Sequence, residues 1–419
     1  MTAAPLKILL TEGSSTSARQ AIFSLGPRHT LDLLDPSPFC QGRFSRFVRR
    51  RYNCPCYSRE PAAYLSFLVD RLRSEPYDVL LPTHEQVFLL SRFRDELKQH
   101  TALALPSFES MDRLMSKARF SRLLDELNLP QPRTEIVHGR SDLLVRNEFP
   151  FYVKVPYSTA GEGVRLVNSA SELCKAVDDF DRAGWVGDDR EILVQTLATG
   201  VKRGVTGIFQ EGVLVGAQCV ESRATGVGGS SMAKISVLDD AAVEQMRHIG
   251  AHLAWHGAMC IEYFRDPQTG SLQLIECNPR IGETGSALLS GVNLCELLVQ
   301  VSLGRPVLPA ADAREGVKTH QGFLILMAMA LNGCSRRQLV AELLRSWRGS
   351  GLYENSEDEL TNVRKDWRSF FPAAGVALLL LARPRAAQWL VSTTVDNYSL
   401  HQSAVESIRT MQFDASTCD

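Results

Sequence analysis

The feature that most constrains this chain is the stretch 258–280, where two short apolar segments flank Asp266-Pro267-Gln268-Thr269-Gly270. Turn chemistry between apolar runs predicts a β-hairpin, with strands over 258–264 and 272–277. The two-residue period of a strand then sets Glu262 at the height of Glu276 on its neighbour, with Asn278 on the same face as Glu276. Pro279 ends the second strand and Arg280 follows at its mouth. Three oxygen-bearing side chains thus converge beside one arginine. Such a set can hold Mg²⁺ through carboxylate and amide oxygens while nucleotide phosphates supply the remaining ligands. The alternative is an ordinary hairpin carrying surface acids. Glu276 favours the metal site, because it lies within Leu274-Ile275-Glu276-Cys277, where a partly buried carboxylate needs a cation.

At 419 residues the chain is too long for one ordinary core and suits two or three packed subdomains. Its 46 Lys and Arg nearly balance 47 Asp and Glu, which argues against a nucleic-acid partner held by a basic surface. Arg49-Arg50-Arg51 reads as a solvated loop or helix end. Met1 to Leu10 alternates like a first strand and lacks the pattern of a signal peptide. The longest apolar run, 373–382, is shorter than the roughly 20 residues that span a bilayer. A buried helix is expected there, with membrane-surface contact as the alternative. Ten scattered cysteines, with Cys54-Pro55-Cys56 the one close pair, predict reduced, buried thiols in a cytoplasmic protein.

Residues 6–105 read as a small α/β unit. The strand Leu6 to Thr11 runs into the polar loop Glu12 to Ser17, and Tyr77 to Pro82 runs into Thr83-His84-Glu85-Gln86. Polar groups at the carboxyl ends of parallel strands line a crevice, so His84 and Glu85 are candidate substrate contacts, with helix capping as the competing role. A helical pair is predicted over 107–128, and strands dominate 134–210. Helices are predicted over 240–257 and 285–303, a mostly helical segment over 310–419, and a loop over 352–366. Lys154 sits in the apolar strand Phe149 to Val155 and needs an anionic partner there. The loop after it contains Gly161 and Gly163, which let backbone N–H groups approach phosphate.

Lys117, then Lys154 with its glycine loop, then the Glu262 strand and Ile275-Glu276-Cys277-Asn278-Pro279-Arg280 with a Gly-rich continuation resemble, in that order, the ATP-grasp superfamily of ligases, of the carboxylate–amine ligase type. The resemblance covers residues 106–305 in full and the N-terminal 105 more weakly. It implies an α/β (α+β) ATP-grasp fold. Residues 1–105 would be a Rossmann-like pre-ATP-grasp domain, and 106–305 the ATP-grasp domain, with a lid at about 134–194 and the metal hairpin at 258–280. Residues 306–419 would be a mostly helical extension. By the same resemblance Lys117 and Lys154 bind the α- and β-phosphates of ATP beneath a mobile loop containing Gly161 and Gly163. Gln195, Thr196 and Leu197 form the hinge that reads the adenine edge. The cation on Glu262, Glu276 and Asn278 is Mg²⁺, with Mn²⁺ as a substitute. Family members usually carry acids where this chain has Thr196 and Lys202, so the ribose contact stays unassigned. Residues 225–231, a glycine-rich stretch before Lys234, either border the phosphoryl-transfer centre or form a flexible β-connection. Lys234 is expected at the γ-phosphate. Arg280, planar and bidentate, suits the transferred phosphate or the acid's oxygens.

The expected activity is ATP-dependent formation of a C–N bond between a small acid and an amine, an amino acid above all, with release of ADP and phosphate, in natural-product biosynthesis. A weaker similarity to mycosporine-glycine synthases lies in Trp255-His256-Gly257-Ala258, Tyr353, Glu359-Leu360-Thr361, Asp366-Trp367 and Asn397-Tyr398-Ser399-Leu400. It would make the acid a vinylogous one. Two alternatives stand beside this reading. One is a biotin-carboxylase-like carboxylating enzyme, although no Met-Lys-Met carrier signature occurs. The other is a nucleotide-binding sensor on an ATP-grasp scaffold, which Lys202 would support. Small-molecule partners are expected, with neither nucleic acid nor a membrane span, and a homodimer is compatible with the sequence.

Overall fold

Three β-sheets position the candidate site in the computed structural model, which describes residues 4–187 and 189–412. The first contains β1 (Lys7–Leu10), β2 (Thr30–Asp35), β3 (Val48–Asn53) and β4 (Val79–Leu81), all parallel, in the order β3-β2-β1-β4. Ile8, Leu9 and Leu10 are fully buried, as expected of a parallel strand covered on both faces. The helix Thr16–Leu25 follows β1 directly, started by Ser15, whose side chain accepts from the Ala18 N–H. The loops after β1 and β4 therefore open on one edge of this sheet.

The second sheet is antiparallel: β5 (Thr134–His138), β6 (Phe151–Lys154), β7 (Val164–Val167) and β8 (Glu191–Gln195), in the order β5-β8-β6-β7. It has its own apolar core, in which Phe151, Val153 and Ile192 meet Val177 and Phe180 of the helix Ala170–Arg182.

The third sheet is the largest. It comprises β9 (Val201–Gln210), β10 (Val213–Thr225), β11 (Ser231–Val237), β12 (Gly257–Arg265), β13 (Leu272–Asn278), β14 (Lys318–His320) and β15 (Ser356–Asp358). Their order is β13-β12-β9-β10-β11-β14-β15, antiparallel except for the last pair. The hairpin predicted from the sequence is β12–β13. Glu262 pairs with Glu276, and Cys260 with Asn278. Beneath it Phe209, Met246, Ile249, Trp255, Ile261 and Tyr263 are buried in one core.

Four expectations are corrected. The helix predicted over 285–303 is two, Gly285–Ser290 and Leu294–Ser302, because Gly291 takes a left-handed φ of 102° and Asn293 caps the second by accepting from the Glu296 N–H. Arg49-Arg50-Arg51 lies in β3, with Arg49 forked across both oxygens of buried Asp32. The helix Phe370–Ala382, expected to be buried, buries only Leu380 among its residues and exposes Phe370, Phe371 and Leu378. The polar segment 352–366 supplies β15, so the C-terminal region adds two strands to the central sheet besides its helices. No helix among the described residues is long and apolar enough to cross a membrane.

Candidate active site

The hairpin sets two carboxylates side by side, and lysines from three other elements surround them. Lys117 is the first residue of the helix Lys117–Glu126. Its Nζ lies 3.0 Å from Glu276 Oε1 and donates to the Ser158 carbonyl at 3.1 Å. Lys154 ends β6 and donates to Gln195 Oε1 at 2.6 Å. Lys202 lies on β9, the neighbour of β12, with its Nζ 2.7 Å from Glu262 Oε2 and 2.7 Å from the Gly229 carbonyl. Lys202, the departure at the ribose position that would also support a sensor, thus grips one of the proposed metal carboxylates.

Three cations, Lys117, Lys154 and Lys202, face two anions, Glu262 and Glu276, so the cluster is short of one negative charge. Burial alone would raise the Glu276 carboxyl, but Lys117 and then Lys154 outweigh it and hold the group below its usual range. Burial lowers Lys154 to about 8, against the pull of Glu276 and Glu262. Burial also opposes the charge on Lys202, yet Glu262 wins and its pKa is raised. An anion entering here meets preformed cations with little water to screen them.

Arg280 ties the hairpin to the first sheet. Its Nε lies 3.2 Å from Glu85 Oε1 and its Nη2 3.3 Å from Asn278 Oδ1. Glu85 begins the helix Gln86–Arg92 but makes no side-chain cap; its carboxylate is bound to Arg280, a role that is neither the substrate contact nor the cap weighed for it. His84 packs its ring 4.3 Å from that of Tyr398, and its Nδ1 has no hydrogen-bond partner. Burial, then Arg280, holds its pKa well below the ordinary histidine value, so the ring is neutral.

Lys234, on β11, is paired with Glu283 and lies 2.9 Å from Glu359 Oε2. Gln321 donates to both carboxylates, at 2.6 and 2.9 Å, while Thr16 donates to Glu283 and Gln20 to Glu359, each at 2.9 Å. Burial opposes its charge, but Glu283 and Glu359 prevail and its pKa is raised. The helix after β1, the end of the hairpin and the C-terminal segment thereby meet at one ammonium. Sequence reasoning named neither Glu283 nor Glu359 as a candidate. Glu359 stands in the sequence only within a stretch similar to mycosporine-glycine synthases, and Glu283 lies three residues past Arg280 in the Gly-rich continuation.

These groups border a cavity of about 490 Å³. Of the residues singled out from the sequence, His84, Gly161, Lys202, Lys234, Glu262, Glu276, Asn278 and Arg280 line it. Lys117 and Lys154 are not among its lining residues; Lys117 is joined to it through Glu276, and Lys154 is held behind by Gln195. Gln195, Thr196 and Leu197 are not among its lining residues; the Gln195 side chain is bound to Lys154 and Thr134, and the Thr196 N–H donates to the Arg133 carbonyl at 3.0 Å. Two glycine loops meet at its edge. A Cβ on Gly228, whose φ is 61°, would lie 2.2 Å from the Ala160 carbonyl oxygen, so the loops 158–163 and 225–231 touch backbone to backbone. Gly163 is required for packing, since a Cβ there would lie 2.2 Å from Val155 Cγ2.

The donor set fits a hard divalent cation. Glu262, Glu276 and Asn278 offer only oxygens, and Glu276 is kept ionised. Among the described residues no group of three or more His, Cys, Asp or Glu could hold a metal, so a cation here would draw on Asn278 and on ligand oxygens.

No family model matches the chain. The carbamoyl phosphate synthase large chain of Thermoanaerobacter pseudethanolicus is 25% identical over 222 residues, covering 50% of this chain and 20% of that protein. The chain therefore spans about a fifth of the length of that relative. The crystal structure of L-amino acid ligase from Bacillus licheniformis superimposes with a TM-score of 0.57 at 17% identity, over 73% of this chain and 76% of that one. The biotin carboxylase domain of the Hydrogenobacter thermophilus 2-oxoglutarate carboxylase, solved with ADP, its magnesium salt and bicarbonate, gives a TM-score of 0.59 at 14% identity, over 76% and 74%.

Proposed function

We propose, from the premise that the chain carries the ATP-grasp fold and resembles ligases of that superfamily, that it is an ATP-dependent ligase joining a small acid to an amine. The observation that carries this reading is the surplus cation beside paired carboxylates: Lys117 on Glu276 at 3.0 Å, Lys202 on Glu262 at 2.7 Å, with Lys154 alongside. Nucleotide phosphates would supply the missing negative charge. The lysines would then exchange their carboxylates for phosphate oxygens, leaving Glu262, Glu276 and Asn278 to hold Mg²⁺. That cation, when bound, neutralises charge on the β- and γ-phosphates.

In this proposal Lys117 and Lys154 fix the α- and β-phosphates, so the γ-group alone is free to transfer. An oxygen of the acid attacks the γ-phosphorus, the bond to the ADP oxygen breaks, and a mixed anhydride forms. The amine then attacks the activated carbon, a C–N bond forms, and phosphate departs with the electron pair as the amine sheds a proton. Arg280, held by Glu85, keeps N–H groups for the acid's oxygens or the transferred phosphoryl group. The touching glycine loops would exclude water from the anhydride. A protein nucleophile is unnecessary: burial raises the thiols nearest the carboxylates, Cys260 and Cys277, so both stay protonated. Lys234 is assigned to the cavity wall near the γ-group, anchored by Glu283 and Glu359.

The test is ATP turnover across small acids crossed with amino acids, with nucleotide and adduct read by mass. ADP, phosphate and an acid–amine adduct are expected. Formation of AMP and pyrophosphate would overturn the mechanism.

A further inference from the structure

The cavity is lined by charged and by apolar groups, and the proposed reaction uses only the charged ones, Glu262, Glu276 and Arg280 among them. Part of the apolar lining comes from three helices of the C-terminal segment, Gly322–Leu331, Phe370–Ala382 and Ala386–Tyr398. Phe323 and Met327 come from the first, Pro372 and Val376 from the second, and Leu390 and Val391 from the third. In each of the first two helices the pair is four residues apart and so shares a face. These helices also bury a small core of their own, which includes Leu326, Ala330 and Leu380, and Met327, Val376 and Leu390 each pack part of their surface against it. The six wall side chains are only partly buried, and they turn apolar surface toward a cavity that also contains the phosphoryl-transfer groups.

The third helix carries lining residues of both kinds. Tyr398 lines the cavity where its ring meets His84, close to Arg280. Val391 lies seven residues earlier, two helical turns and about 10 Å away on the same face. A molecule whose acid group meets Arg280 and which extends along this helix reaches the apolar wall within that length. We propose that the acid activated at this site carries an uncharged apolar body of several carbons, aliphatic or aromatic, seated against Met327, Val376 and Val391. This rests on the ligase reading for the word acid; the apolar subsite rests on the cavity itself. Leaving such a wall to water would forgo the burial that an apolar group of matching length provides.

The test titrates acetate, hexanoate, 3-phenylpropionate and succinate calorimetrically into the full chain with Mg²⁺ and ADP present. Hexanoate and 3-phenylpropionate are expected to bind at least thirtyfold more tightly than acetate or succinate, since each buried methylene is worth about fourfold. Val376→Asp should weaken hexanoate binding at least tenfold and Met327→Ala about threefold, with ADP affinity unchanged in both. Should Val376→Asp lose ADP binding through misfolding, Met327→Ala and the parent series decide. Equal affinities across the four acids, no binding by any, or unchanged hexanoate affinity in variants that still bind ADP overturns the proposal. The two readings fail separately. Correctly ranked binding without ADP formation from ATP in the presence of any acid and amine removes the ligase and keeps the subsite. ADP formation with short or charged acids alone keeps the ligase and removes the subsite.

Discussion

Lys202 Nζ lies 2.7 Å from Glu262 Oε2, so this chain's own ammonium already neutralises a carboxylate proposed for the metal. A divalent cation must displace it. Lys202→Met should therefore raise the affinity of the nucleotide-free protein for Mg²⁺ about tenfold, since a charge-assisted bond contributes roughly 1.5–3 kcal/mol. Titration calorimetry reads this directly. Equal affinities in parent and variant would remove the competition, and with it Glu262 as a ligand.

Glu276→Gln takes away a charged oxygen and the partner of Lys117. Turnover should fall by at least a hundredfold while circular dichroism keeps its folded signature, because Lys117 retains the Ser158 carbonyl at 3.1 Å. A near-normal rate at saturating Mg²⁺ would show that the hairpin is not the metal site.

Lys154 gives the site a pH signature. Its pKa is lowered to about 8 chiefly by burial, and phosphate beside it favours the protonated form, so ADP binding should take up a proton near pH 8. Affinity should weaken as pH rises above that value. Binding enthalpies compared across buffers of different ionisation heat count the proton; none at pH 8 removes Lys154 from the phosphate role. In the ligand-free protein the sign reverses. Between about 8 and 10.5 the unfolded chain binds more protons at this lysine than the folded one, so its contribution to stability rises with pH over that window. Lys154→Ala should cost ADP binding a few kcal/mol at most, the scale of one charge-assisted contact.

Gly228→Ala places a methyl group against the Ala160 carbonyl, at 2.2 Å before any relaxation. The loops 158–163 and 225–231 should part. The KM for ATP is expected to rise about tenfold, and limited proteolysis should cut one of these loops faster. If both measurements match the parent, the loop contact has no part in covering the nucleotide.

Glu12 is raised to about 8 by burial and then by Asp35, and its Oε2 has no hydrogen-bond partner. The folded state therefore binds a proton that the unfolded chain has released, and that stabilisation, complete below pH 4.5, is lost as pH climbs through 8. Glu12→Gln should melt close to the parent at pH 5 and a few degrees above it at pH 9. A difference in melting temperature that does not change with pH would sink the assignment.

The hairpin was legible because a turn sequence and a period of two fix which residues share a face before any tertiary contact is considered. The partner of Lys202 was not. It depends on the register of β9 against β12, where Lys202 stands opposite Phe264, and pairing between strands so far apart in sequence leaves no local signal. The same holds for Lys234, which meets Glu359 from 125 residues away. The break at Gly291 was written in the chain, as a glycine two residues before an asparagine cap, but apolar spacing continues across it and masked the stop. At Arg49-Arg50-Arg51 the charges hid an edge strand, since the side chains that make it polar also pair with Asp32 and Glu75. Strands of three residues, as in β14 and β15, are too short to show a period at all.

Those two short strands give the protein an order of assembly. β14 pairs with β11, Thr319 standing opposite Lys234, and Glu359 follows β15 directly. A nascent chain that has emerged only through Val237 presents a bare strand edge and a lysine whose carboxylates have yet to be synthesised. The wall of the cavity at Lys234 thus closes only after residue 359 has been made, before the cavity-lining helices Phe370–Ala382 and Ala386–Tyr398 follow, and a polypeptide ending before Lys318 would keep the β11 edge unpaired.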